Sequence, residues 1–210
     1  MRKNSRRSWV AGALFISLFF LWGGCFNTFG LFFTLLVKEF GASHFAVSLL
    51  TTIVLVLSGV IGPVAGSLLV RIGAKYVMGV GAAVSGPALV GISYSSNFTY
   101  LFIWYAVLGA GLGASTWLTA SIVVTNWFRE RPGTALGFIT VGMVLGGTLT
   151  ALLAAYVIQL DGWRIAYRVL AAPVLLVVLP IIFFFVETAP EGLSLRPSST
   201  VARDDSLAGC

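Results

Sequence analysis

The chain has 210 residues, of which 58% are hydrophobic and only 10% charged, against about a quarter charged in an average soluble protein. A soluble domain of this size has to cover a large surface with polar groups, and this chain lacks them, so composition excludes a soluble enzyme and a disordered tail and indicates a polytopic membrane protein. A spanning helix takes about 20 apolar residues, which leaves room for six spans. The formal charge of +6 sits in short clusters between apolar runs, as at a lipid boundary, and does not indicate nucleic acid.

In chain order the sequence predicts a basic N-terminus over 1–8 and then six apolar segments over 9–37, 45–70, 76–94, 98–127, 134–160 and 165–186. The breaks between them are short and polar, at 38–44, 71–75, 95–97, 129–133 and 161–164. Residues 187–210, rich in Ser, Pro, Gly and charge, read as a flexible tail or the start of a linker. The first apolar run is too long, and too rich in bulky aromatics, for a signal peptide. Of the two cysteines, Cys25 lies inside an apolar run and Cys210 is the last residue, so they form no disulfide framework.

Orientation follows from Lys and Arg. With the N-terminus inside, ten basic residues (Arg2, Lys3, Arg6, Arg7, Arg71, Lys75, Arg129, Arg131, Arg196, Arg203) fall on the inner side and three (Lys38, Arg164, Arg168) on the outer. That bias predicts both termini in the cytoplasm of a cell with this protein in its plasma or inner membrane. Small residues recur within the spans, at Gly59–Gly66, Gly109–Ser115, and at Gly137, Gly142, Gly146 and Gly147. Inside a membrane such residues let helix backbones approach closely, and a helix-packing role fits them better than a nucleotide loop, which needs a preceding strand.

The turn between the second and third segments reads G-S-L-L-V-R-I-G-A-K at 66–75. It resembles the cytoplasmic loop signature of the major facilitator superfamily, G-x-L-a-D-R-x-G-R-K, matching it at Gly66, Leu68, Arg71, Gly73 and Lys75. Val70 stands where the signature carries an acid. The stretches at 23–33, 124–138 (V-T-N-W-F-R-E-R-P-G-T-A-L-G-F), 161–164 (D-G-W-R) and 190–197 are similar to bacterial monocarboxylate-transporter-like members. The resemblance implies an all-α membrane fold, the N-terminal six-helix bundle made of two inverted three-helix repeats. It also implies transport of a small organic anion in concert with a second six-helix half, with membrane lipid as the other partner. The alternatives are a truncated, non-transporting fragment and a six-helix half acting as a homo-oligomer.

In that superfamily the first and fourth helices line the cavity, with help from the second and fifth. The resemblance therefore puts the substrate cavity at Phe26, Asn27, Phe29 and Thr34 of the first span, at Thr116, Trp117, Thr119 and Ser121 of the fourth, and at Thr140 and Met143 of the fifth. Asn27 stands out on physical grounds too, because an amide in hydrocarbon needs partners and marks a bundle interior or a wet cavity. A Ser or Thr there can instead bond its own helix backbone. The loop signature comprises Gly66, Arg71, Gly73 and Lys75, with Arg129 and Arg131 in the turn that contacts it in relatives. The inventory offers no metal cluster, no cofactor motif and no catalytic set: the single His, His44, is placed in an outer loop.

Overall fold

In a computed structural model the described residues are 2–115, 117–128 and 130–186, with side chains from Ser8 onward. Six helices are long and apolar enough to cross a membrane: α1 Ser8–Phe40, α2 His44–Ile72, α3 Ala74–Tyr94, α4 Phe98–Trp127, α5 Pro132–Asp161 and α6 Trp163–Phe185. No strand occurs among the described residues. The expected tail over 187–210, the start of the chain at residue 1, Thr116 and Arg129 lie outside the described residues.

The turns are tighter than the charge pattern indicates. Lys38, Glu39 and Phe40 remain helical, and α1 ends only at Gly41 (φ 58°, ψ 21°), a left-handed conformation that glycine adopts without a Cβ clash. Ser43 then caps α2, its hydroxyl accepting from the Ala46 amide at 3.2 Å. A single residue, Gly73 (φ 93°), separates α2 from α3.

The packing repeats itself. α1 lies along α5, and α4 lies along α2; exchanging the first three helices for the last three maps one contact onto the other. The seams are made of small residues because lipid already solvates Leu and Val, so close backbone approach is what holds such helices together. A Cβ at Gly146 would strike the Phe19 backbone, and one at Gly109 would lie 2.7 Å from the Cα of Val54. α3 sits against α4 by the same device: a Cβ on Gly111 would meet Ser85 Oγ at 2.5 Å.

Polar and aromatic contacts tie one end of the bundle. Arg164 Nη1 donates to Glu39 Oε1 at 2.7 Å and Nη2 to the Ser95 carbonyl at 3.2 Å, joining α6 to α1 and to the end of α3. Arg168 Nε donates to Ser93 Oγ at 2.8 Å while its guanidinium lies over the Tyr94 ring. Deeper in, Tyr105 and Tyr167 share a hydrogen bond between their hydroxyls, 2.5 Å apart, and Phe32 stacks on Tyr167. At the opposite end Trp9 stacks on Phe185 and the Lys75 ammonium approaches the Phe183 ring.

Candidate functional site

The middle of α1 is not regular. Across Phe19–Asn27 its backbone hydrogen bonds widen to the π-helical pattern, an arrangement often found at functional sites. Gly23 and Gly24 are buried there, and a Cβ at Gly23 would strike Gly146 of α5. With the two backbones this close, the larger side chains on either flank diverge. They leave a groove of about 390 Å³ between α1 and α5, lined by Trp22, Asn27, Met143, Val144, Gly147 and Thr148.

Asn27 is exposed and lies across Gly147, where a Cβ would come within 2.5 Å of its amide nitrogen. Met143 of α5 shares the groove. Phe26, half-buried, stacks on Trp22 with ring centres 4.9 Å apart. Phe29 points into the bundle, edge-on to Tyr105 of α4 at 5.8 Å, so α1 and α4 touch there. Thr34 is exposed nearer the end of α1.

The α4 and α5 candidates are more dispersed. Trp117 is half-buried and packs against the core. Thr119 is fully buried, away from open space. Ser121 donates to the Leu118 carbonyl at 2.7 Å and Thr140 to the Leu136 carbonyl at 2.8 Å, so both hydroxyl protons are engaged by their own helices. Thr116 lies outside the described residues.

Of the loop-signature residues, Gly73 makes the turn. Gly66 faces Ile122 of α4 in ordinary contact, its Cβ position 3.5 Å from Ile122 Cδ1. Arg71 and Arg131 are exposed, and Lys75 is the residue over Phe183. Arg129 lies outside the described residues. Trp127, just before the break at 129–133, is 3% exposed inside the bundle.

Three groove residues, Trp22, Val144 and Thr148, escape the sequence reading, and Gly147 enters it only as a packing residue. A helical spacing signal for them exists: 22, 26 and 27 fall on one face of α1, and 140, 143, 144, 147 and 148 on one face of α5. Among the described residues no three His, Cys, Asp or Glu side chains gather as a metal site.

This fold and its seams have relatives. Residues 14–204 match the family description Major Facilitator Superfamily. The chain belongs to that superfamily. It is a family of membrane transporters, not of enzymes. An uncharacterised MFS-type transporter of Bacillus subtilis is 25% identical over 193 residues, covering 91% of this chain and 47% of the relative. Mouse monocarboxylate transporter 6 is 30% identical over 141 residues, covering 67% of this chain and 30% of that protein. Among solved structures, a bacterial homolog of the human lysosomal transporter Spinster superposes with a TM-score of 0.71 at 18% identity, over 95% of this chain and 47% of that one. The E. coli xylose transporter XylE in its inward-open conformation gives 0.72 at 16%, over 89% and 49%. The chain thus spans about half the length of the Bacillus relative and of these solved transporters, and less of the mouse transporter.

Proposed function

We propose that this chain forms the N-terminal six-helix half of a transporter for a small organic anion of the monocarboxylate type, and that it moves substrate only together with a second six-helix half. The observation that carries the reading is the α1/α5 groove: a π-helical break, an exposed amide at Asn27 and a seam of glycines at the middle of two spans. Ordinary helix packing needs the glycines but not the open groove with an exposed amide beside them.

Three further features support it. The similarity to monocarboxylate transporters supplies the substrate class. Alternating access rocks one half against another around a shared site, and α2 and α5 keep long exposed apolar faces, with Val56, Val60 and Val64 on one and Val141, Leu145 and Leu149 on the other, suited to a partner half or to lipid. The Lys and Arg distribution supports cytoplasmic termini in a plasma or inner membrane.

In this reading Asn27, Phe26, Thr34, Trp117, Thr140 and Met143 face the cavity and Phe29, Thr119 and Ser121 back it, while Thr116 is assigned to the site on the family resemblance alone. Gly66, Arg71, Gly73 and Lys75, at and just before the α2/α3 turn, together with Arg131 before α5, belong to the inner surface where the halves move against each other, and Arg129 is assigned there on the family resemblance alone. No cofactor or metal enters the mechanism.

The test is reconstitution of the purified chain in liposomes with labelled lactate, pyruvate, formate or oxalate. The expected result is no saturable flux from the chain alone. Saturable flux would overturn the requirement for a second half and favour a homo-oligomer.

A further inference from the structure

The four helices within reach of the cavity carry charge only in their terminal turns, at Lys38 and Glu39 of α1, Arg71 of α2 and Asp161 of α5. No Asp, Glu, Lys or Arg lies between Ser8 and Val37 in α1, between Phe45 and Val70 in α2, between Phe98 and Trp127 in α4, or between Pro132 and Leu160 in α5. An organic anion entering the α1/α5 groove meets no cation there, and an ionised carboxylate taken out of water without a partner costs several kcal/mol.

The groove offers something else. Trp22 lines it, held by stacking on Phe26 behind, and Met143 supplies a polarizable thioether, which favours the edge of an aromatic ring. Thr148 already donates to the Val144 carbonyl at 3.2 Å, which leaves the Asn27 amide as the main polar group. Gly147 keeps that amide flat against α5, because a Cβ there would displace it. At about 390 Å³ the share of the cavity that this half contributes has room for a ring.

We infer that this half of the transporter reads the apolar body of the substrate and not its charge. The substrate class is then a monocarboxylate with an aromatic or similarly bulky apolar body, larger than lactate or formate, whose carboxylate is neutralised by groups outside the apolar lengths of these four helices. Trp22, Met143 and Gly147 set which bodies fit. The inference rests on the groove being part of the cavity, as proposed above.

Saturation-transfer NMR on the purified chain in lipid nanodiscs, with empty discs subtracted, tests it with three probes: phenylacetate, its uncharged amide phenylacetamide, and acetate. Both aromatic probes are expected to bind saturably, with affinities within about threefold of each other because charge contributes nothing there. Acetate is expected not to bind. Trp22→Leu should weaken both aromatic probes by roughly tenfold, the scale of one lost aromatic contact, and Met143→Ala should weaken them by less, in a variant that leaves Trp22 in place.

Binding of phenylacetate without phenylacetamide would show that charge is read here and overturn the inference. So would acetate binding as well as the aromatic probes, absence of saturable binding by either aromatic probe, or equal binding by the wild type and both variants. These outcomes are separable from failure of the half-transporter reading, which liposome flux decides once labelled phenylacetate is measured beside the smaller anions: saturable flux by the lone chain overturns that reading and leaves ring binding standing.

Discussion

α2 and α3 are both apolar spans, yet they live in different surroundings. α2 is the more hydrophobic of the two, with a peak mean hydropathy of 2.4 against 1.5. It is also the less buried: 22% of that stretch is covered by the rest of the bundle, against 61% for α3. In a soluble protein the order would be reversed. Lipid explains the inversion, because Val and Leu are as well solvated by acyl chains as by other side chains, so burial goes to residues small enough to bring backbones together. α3 buries Gly79, Gly81, Ala82, Ser85, Gly86 and Ala88, whereas α2 leaves Val56, Val60, Val64 and Leu68 exposed. Hydrophobicity therefore marks where a helix is free to face lipid or a partner, and small residues mark where the bundle holds itself together.

That contrast can be broken most severely at the α3/α4 seam. Gly111→Leu is expected to cost about 3 kcal/mol, since the added carbons meet the Gly81 carbonyl and the Ser85 backbone and must push two helices apart. Steric-trapping measurements of unfolding in bicelles would read it, and an unchanged stability would mean the seam is looser than described. Tyr105→Phe removes the bond to Tyr167 while keeping the ring, and should cost about 1 kcal/mol in the same assay.

The Glu39–Arg164 pair sharpens the comparison at the bundle's end. Its side chains are 39% and 40% exposed, so a double-mutant cycle with alanine is expected to show a coupling of only about 0.5 kcal/mol. A coupling several times larger would make this end, and not the glycine seams, the main fastening. Smallest of all, Val60→Ala on the exposed face of α2 should change the stability of the chain alone by less than about 0.5 kcal/mol.

The spans were legible because lipid admits only apolar side chains over a fixed thickness, a constraint written directly in composition. The glycine runs were legible in part. Gly109, Gly111, Gly142, Gly146 and Gly147 do sit where a Cβ would collide, but Gly59 and Gly137 open on empty space, and nothing in the sequence distinguishes the two groups. The polar ties were not legible at all. Arg164 finds Glu39 125 residues away and Arg168 finds Ser93 75 residues away, and such pairs leave no periodic trace. Of the candidate site, Asn27 was legible as an amide with nowhere to hide in hydrocarbon, and Met143 shares its groove. Trp22 and Thr148 were not, because an aromatic ring or a hydroxyl in a span has a common packing role, and only the close approach of Gly23 to Gly146 reveals that these two flank an opening.

The account turns on Asn27 facing a wet groove and not the lipid. With Cys25 and Cys210 replaced by serine, Asn27→Cys and Leu176→Cys place single thiols near the middle of α1 and α6, the second at a position 75% exposed and away from the groove. Labelling with a membrane-impermeant maleimide in nanodiscs should modify the cysteine at position 27 at least about tenfold faster, since a thiol in dry hydrocarbon does not ionise to the reactive thiolate. Equal, slow labelling at both positions would put Asn27 against lipid and contradict the site.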